Sequence, residues 1–112
     1  MPFDGLTTER TAELEALLRM REMLAKPGGW CQGGAYRDEG RCLIQAAASA
    51  TDSVILLYHV TRRLAAELPR AQRWSPLALL QPSLAMVRFN DRPSTTQADV
   101  VALIDRAIGA AT

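Results

Sequence analysis

Three positions have the residue types and the chain order of a cysteine-protease catalytic group: Cys31, His59, and Asn90 or Asp91. In such a group the thiol is the nucleophile, the imidazole is its general base, and the third residue orients the imidazole. A nucleophilic thiol needs a nearby imidazolium or helix N-terminus to favour its thiolate form. Cys31 instead follows the C-terminal end of the first predicted helix, which is the negative end of the helix dipole. We therefore predict no catalytic residue, with a small cysteine-dependent hydrolase or thiol enzyme using Cys31 as the alternative.

The second cysteine and the single histidine do not indicate a metal site. Cys42 precedes Leu43 and Ile44, which indicates a packing position where cysteine behaves as a small hydrophobe. Two cysteines are too few for a disulfide scaffold and lack the spacing of a zinc site. His59 has no metal-ligating residue at suitable spacing near it. We predict no metal, no cofactor and two reduced thiols.

The chain has one basic cluster that could hold phosphate and stack a base. The formal net charge is only +1, whereas nucleic-acid binding normally requires a strong basic excess. Nucleic-acid binding is therefore disfavoured, and a weak nucleic-acid-binding protein is the second alternative. The cluster would consist of Arg62, Arg63, Arg70, Arg73 and Trp74.

A glycine-rich segment at residues 29–40 combines aromatic rings with hydrogen-bonding groups, and Asn90 with Asp91 forms a second polar pair. Two arrangements fit these residues. In one, Trp30 and Tyr36 fill the end of a helix bundle while the Asn and Asp side chains cap loop backbone. In the other, the loop and the polar pair converge on one binding surface, because loops on rigid scaffolds often carry function. The binding residues would then be Trp30, Gln32, Tyr36, Arg37, Asp38, Asn90 and Asp91.

The elements that position these residues are predicted to be helices, because the apolar residues are mostly Leu and Ala and few are aromatic. With 112 residues, the expected architecture is one domain over residues 1–112, since domains are commonest at about 100–150 residues. We predict an all-α bundle of four to five helices with the Gly-rich loop after the first helix. That helix is expected from Thr8 to Ala25, capped by Thr7 or Thr8. Its predicted apolar stripe consists of Leu14, Leu17, Leu18, Leu24 and Ala25, and contains Arg21.

The later helices are predicted from caps, prolines and periodicity. A second helix begins near Arg41 and packs through small residues, and a third, capped by Thr51 or Asp52, runs to about Leu68. The first turns of this third helix are expected to be buried nearly all round. A short helix over 75–81 precedes Pro82, residues 83–89 favour helix over strand, and residues 90–93 form a turn.

The last helix has the strongest signal, because Thr96-x-x-Asp99 has the form of a capping box. The apolar face predicted for it consists of Val100, Leu103, Ile104, Ala107 and Ala111.

No secretory signal is visible, and no apolar run approaches the ~20 residues that span a bilayer. We expect a cytoplasmic protein. The preference for Arg over Lys and the abundance of Ala indicate a GC-rich bacterial genome.

Four short motifs are distributed along the chain: Trp30-Cys31-Gln32-Gly33, Tyr36-Arg37-Asp38 with Gly40, Cys42-Leu43, and Phe89-Asn90-Asp91 with Pro93. Together they resemble a family of uncharacterised small bacterial and phage proteins, whose pattern reads roughly Trp-x-Gln-Gly, Arg-Asp-x-x-Gly, Cys-Leu-x-x-Ala and Asn-Asp-x-Pro. The resemblance implies one compact domain, and it implies that the Trp-x-Gln-Gly loop and Asn90-Asp91 form a shared surface, but it implies no established activity. The leading hypothesis is a non-catalytic accessory or regulatory module that binds another protein, or itself as a homodimer.

Overall fold

The computed structural model describes residues 4–33, 40–69 and 80–112. This part of the chain contains five helices and one isolated β-bridge, between Trp30 and Arg41. The prediction of an all-α bundle of four to five helices is therefore confirmed. The helices are α1 (Asp4–Ala25), α2 (Leu43–Ala50), α3 (Val54–Ala66), α4 (Pro82–Asp91) and α5 (Gln97–Ala111).

Some predicted features lie outside the described residues. They are the binding candidates Tyr36, Arg37 and Asp38, most of the short helix over 75–81, and the basic residues Arg70, Arg73 and Trp74.

Helix α1 begins at Asp4, one turn before the predicted start, so neither Thr7 nor Thr8 is its N-cap. Gly5 in this first turn disfavours a helix, by about 1 kcal/mol relative to alanine, which does not prevent the turn from forming. At the other end, Pro27 and the positive φ of Gly28 (74°) end the helix, as expected.

The buried face of α1 differs partly from the predicted stripe. Ala16, Leu17, Met20 and Leu24 are fully buried, and their spacing of three and four residues makes one helix face. Leu18 lies beside this face and is 48% exposed, and Ala25 is exposed as well, so the prediction that these two residues belong to the apolar stripe was wrong.

Arg21 of α1 is exposed and forms an ion pair with a carboxylate of α5. Its Nε donates to Asp105 Oδ1 at 2.6 Å, so the guanidinium charge is paired and still reaches water. This hydrogen bond, together with the negative charge of Asp105, raises the pKa of the Arg21 guanidinium.

Helix α2 is short and packs closely on α1 because its buried positions are small. Ala46, Ala47 and Ala50 are at most 3% exposed, which confirms the predicted small-residue packing. Arg19 of α1 donates to the Ala50 carbonyl from Nε at 3.2 Å and from a terminal nitrogen at 2.8 Å. The last carbonyl of α2 is therefore satisfied by a side chain of its neighbour.

Helix α3 is capped by Ser53, whose hydroxyl accepts from the Leu56 N–H at 3.0 Å, and not by Thr51 or Asp52 as predicted. Val60 and Leu64 are buried on the face that meets the other helices. Its first turns are not buried all round: Val54 is 82% exposed and Ile55 is 71% exposed. In the described part of the chain the neighbouring helices cover one side of α3, and apolar residue type alone does not show which side.

Helix α4 confirms the helix predicted over 83–89, with Pro82 at its first position where the missing N–H costs nothing. It extends through Asn90 and Asp91, which were predicted to form a turn. Pro93 disfavours helical geometry only in the residue before it. Arg92 is accordingly extended (φ −62°, ψ 134°).

Helix α5 has the predicted start. The Thr96 hydroxyl accepts from the Asp99 N–H at 3.2 Å, and the Asp99 carboxylate accepts from the Thr96 N–H at 3.0 Å. Gln97 also donates to the carbonyls of Leu24 and Lys26 at 2.7 and 2.8 Å, which ties the start of α5 to the end of α1. All five residues of the predicted apolar face are buried: Val100, Leu103, Ile104, Ala107 and Ala111.

None of the described helices is long and apolar enough to cross a membrane.

Candidate functional site

The segment after α1 and the segment before α2 meet as two short parallel pieces of extended chain. The Arg41 N–H donates to the Gly29 carbonyl at 2.9 Å, and the Cys31 N–H donates to the Arg41 carbonyl at 3.1 Å. These two bonds make Trp30 and Arg41 a parallel pair. In a continuing ladder, the Cys31 carbonyl would next accept from the Leu43 N–H.

The side chain of Asn90 takes the place of that next ladder bond. Its Oδ1 accepts from the Leu43 N–H at 3.1 Å, and its Nδ2 donates to the Cys31 carbonyl at 3.1 Å. A carboxamide has the donor and acceptor of a peptide group, so it satisfies both main-chain groups at once. Asn90 can reach this position because it lies in the last turn of α4, directed at the loop.

Two further bonds complete the partners of Asn90. Oδ1 also accepts from Trp30 Nε1 at 2.7 Å, and Nδ2 also donates to Asp91 Oδ1 at 3.0 Å. The side chain is 1% exposed. A carboxamide has two acceptor and two donor positions, and all four are occupied here. Asn90 is therefore a junction between α4, the loop and α2.

Gln32 and Gly33 fasten the loop to the end of α4. Gln32 Nε2 donates to the carbonyls of Asn90 and Arg92 at 3.1 and 2.7 Å, and so satisfies carbonyls that lack a partner within the helix. The Gly33 N–H donates to Asp91 Oδ1 at 2.8 Å. Together these groups form what we call the Asn90 network: Trp30, Gln32, Gly33, Asn90 and Asp91, with the main chain of Cys31 and Leu43.

The structure thus brings together four of the predicted binding residues, Trp30, Gln32, Asn90 and Asp91. Their hydrogen-bonding groups are directed mainly at one another and at backbone, and not at an open cleft. This geometry matches the arrangement in which polar side chains cap loop backbone. A role of these residues in binding a partner stays a prediction.

A small cavity of about 200 Å³ lies beside the Asn90 network. Its walls consist of residues of the Asn90 network and of two apolar side chains, Ile44 in the first turn of α2 and Val87 on the exposed side of α4. Sequence reasoning missed its apolar half. The sequence signal that could have shown it is the spacing of Val87, which stands three and four positions before Asn90 and Asp91 and so shares a helix face with them. The cavity is lined by Gly33, Cys42, Ile44, Val87, Asn90 and Asp91.

Comparison with family models assigns the chain. A model described as a family of unknown function (DUF6197) matches residues 8–110. The chain belongs to DUF6197. The matched range includes all residues of the Asn90 network, and it bears out an uncharacterised family. No curated protein and no solved structure matches the chain significantly.

A second depression of this DUF6197 chain, about 340 Å³ in volume, lies between α1 and α3. Glu13 and Arg63 form an ion pair across it, with Arg63 Nε 3.0 Å from Glu13 Oε1. The exposed residues His59 and Arg62 also line this cleft. Arg62 and Arg63 are the members of the predicted basic cluster that the structure describes, and one of them is neutralised by Glu13.

The candidate catalytic residues occupy different places. His59 lines the cleft between α1 and α3, and Cys31 does not. Cys31 lies next to the end of α4 and is only 9% exposed. Asn90 Nδ2 donates a hydrogen bond to the Cys31 carbonyl, at 3.1 Å. In the described ranges, no three His, Cys, Asp or Glu residues are grouped to hold a metal ion.

Proposed function

We propose that this DUF6197 protein is a non-catalytic binding module whose partner is another polypeptide, held on the exposed side of α4 beside the Asn90 network. The observation that carries the proposal is the small cavity that opens between apolar side chains and the network. It supports binding of a protruding side chain by a preformed surface.

The size of the cavity favours a single side chain over a cofactor or metabolite. Ligand pockets are typically about 300–1,000 Å³ and enclose most of a small molecule. The cavity here is about 200 Å³. Its apolar walls, Ile44 and Val87, suit an aliphatic or aromatic side chain, which gains free energy by leaving water.

Apolar side chains are also exposed on the part of the chain that leads to Val87. Val87 and Leu84, one turn apart on α4, are each 39% exposed, and Leu80 just before the helix is 74% exposed. We call Leu80, Leu84 and Val87 the apolar α4 surface. Exposed apolar side chains at neighbouring positions are typical of protein-binding surfaces.

The Asn90 network supports a positioning role for its own residues. Because its amide groups are directed at main chain, they hold the cavity wall in one shape, and a preformed surface loses less entropy on binding. Asp91 is exposed and places a carboxylate at the cavity, so an apolar anchor followed by Lys or Arg would fit best. We further propose that the protein acts in a bacterial cytoplasm and that its relatives share the Trp-x-Gln-Gly and Asn-Asp-x-Pro motifs.

The test places a photo-crosslinking amino acid at position 87, with the same amino acid at position 54 as the control. Val54 is also an exposed apolar residue, but it lies on α3. We expect crosslinking in cells at position 87 to one defined protein, and loss of this product when Leu84→Lys is added. A crosslinked dimer of this chain would identify the partner as a second copy. Equal products from both positions, or no product from position 87, would contradict the proposal.

A further inference from the structure

The chain contains only two cysteines, and the parallel pairing places them next to each other. Trp30 and Arg41 are partners in the bridge, and the residues that follow them are Cys31 and Cys42. The two cysteines therefore occupy the next position in the same register. Neither is in a disulfide.

The register brings the cysteines to a separation that a disulfide can span. Paired extended chains lie about 4.7–4.9 Å apart. The Cα atoms of a disulfide are usually about 4.4–6.8 Å apart. Cys42 is extended (φ −82°, ψ 172°), and residues one step beyond a parallel pair face the same side as each other. The side chain of Asn90 separates the two extended segments only beyond the two cysteines, because it lies between the Cys31 carbonyl and the Leu43 N–H.

Both cysteines are 9% exposed, but only one of them lines the cavity beside the Asn90 network. Cys42 lines the cavity of about 200 Å³, and its Sγ is the N-cap of α2, accepting from the Gln45 N–H at 3.4 Å. Cys31 does not line this cavity. An incoming reagent therefore meets Cys42 first, and Cys31 is the thiol placed to react second.

We propose that Cys42 and Cys31 form a dithiol site that reacts with low-molecular-weight disulfides and closes to an intramolecular disulfide. The Cys42 thiol loses its proton to solvent, and its sulfur attacks one sulfur of the small disulfide. The sulfur–sulfur bond of the reagent breaks, a mixed disulfide forms at Cys42, and half of the reagent leaves as a thiolate that takes up a proton.

The second step is an exchange within the protein. The Cys31 thiol loses its proton, its sulfur attacks the Cys42 sulfur, and the other half of the reagent leaves as a thiol. The two protein thiols have then lost two electrons and two protons, and the small disulfide has gained them as two thiols. Because Cys42 forms part of the cavity wall, the disulfide replaces a thiol in that wall. The pairing of Trp30 with Arg41 is kept.

The experiment treats the folded protein with oxidised glutathione and follows the intact mass. For the native sequence we expect a loss of about 2 Da with little bound glutathione, because the mixed disulfide is resolved by the second thiol. Digestion with trypsin is expected to yield residues 22–37 disulfide-linked to residues 42–62, from protein that runs as a monomer without reductant.

Two matched variants separate the roles of the thiols. Cys31→Ser is expected to keep one glutathione bound at Cys42, since the resolving thiol is gone. Cys42→Ser is expected to react at least about tenfold more slowly, because the remaining thiol does not line the cavity from which the reagent approaches. Serine is a good N-cap, so this variant should keep α2, which circular dichroism checks.

Three results would overturn the proposal. They are a stable glutathione adduct on the native sequence at the level of Cys31→Ser, a reaction that occurs only in denaturant, and a linked product that is a dimer. If Cys31→Ser does not fold, the linked peptide from the native sequence still decides between the outcomes.

Discussion

Replacing Asn90 by alanine removes the junction between α4, the loop and α2. The side chain makes four hydrogen bonds, with Trp30 Nε1, the Leu43 N–H, the Cys31 carbonyl and Asp91. In the variant the two main-chain groups lose their partners in a buried place, and the indole N–H loses its partner in a half-buried one. Asp91 is exposed and can turn to water.

The magnitude follows from these three groups. A buried polar group left without a partner costs about 1–3 kcal/mol, which gives roughly 3–9 kcal/mol if none is rehydrated. Asn90 lines the cavity of about 200 Å³, so water can enter the space that the side chain leaves and bind some of these groups. We therefore expect a loss near the lower end, about 2–4 kcal/mol of unfolding free energy. Since small domains have about 5–15 kcal/mol in total, the variant should be folded but marginal.

Urea unfolding followed by far-ultraviolet circular dichroism measures this loss without relying on Trp30 fluorescence. Thr95→Ala is the matched control: Thr95 is 7% exposed and makes one bond, to the Phe89 carbonyl at 2.7 Å, so we expect a loss of about 1 kcal/mol. If Asn90→Ala costs no more than this control, the structural account of the Asn90 network is wrong.

Asn90→Asp tests the same network by pH. A carboxylate there cannot donate to the Cys31 carbonyl and lies beside Asp91, so burial and the like charge raise its pKa in the folded state. The destabilisation is expected to grow as pH rises through that raised pKa and to shrink as pH falls, because the protonated acid can donate. A pH-independent loss would contradict this reasoning.

Four further substitutions test three separate features. A Cβ at Gly29 would collide with a backbone carbonyl of α1, so Gly29→Ala should lower the melting temperature strongly. A Cβ at Gly109 meets nothing within 4 Å, so Gly109→Ala should raise the free energy of unfolding by about 0.5–1 kcal/mol. Equal effects of the two variants would refute the close approach at Gly29. Thr96→Ala removes half of the capping box and should cost about 1 kcal/mol in urea unfolding, and a neutral result would mean that the box contributes nothing. Asp105→Asn breaks an ion pair whose side chains are 46% and 47% exposed, so water screens the attraction and we expect little change in unfolding free energy. Asp105 raises the pKa of Arg21, which is already high. The ion pair's contribution to stability is therefore lost only when the pH rises through that pKa. We expect the stability difference between Asp105→Asn and the native sequence to be constant between about pH 6 and 9.

Local signals predicted the helices well because their causes lie within a few residues. The box at Thr96, Pro82 at the start of α4, and the apolar face of α5 each depend on neighbours three to seven positions away. The same local reasoning placed Asn90 in a turn, because Asn and Asp favour turns. The structure shows that the proline two residues beyond Asp91 leaves both residues in the helix.

The candidate site could be predicted only as a set of residues. That Trp30, Gln32, Asn90 and Asp91 come together was a hypothesis from residue type, and the distances bear out their proximity. The insertion of one carboxamide into a main-chain ladder depends on the relative position of three elements, which no local pattern encodes. The exposure of Val54 and Ile55 is a similar case, since hydrophobicity does not show which side of α3 a neighbour covers.

The carboxamide of Asn90 also couples the opening of α2 to the opening of α4. The Leu43 amide proton is held by a side chain 47 positions away, so we expect its exchange with deuterated solvent to follow the separation of α4 from α2. We expect this single proton to exchange as slowly as those in the middle of α5, although it lies at the first residue of a short helix, where amides normally exchange fast. The start of α2 would then open only when the whole molecule opens, and the chain would unfold as one cooperative unit.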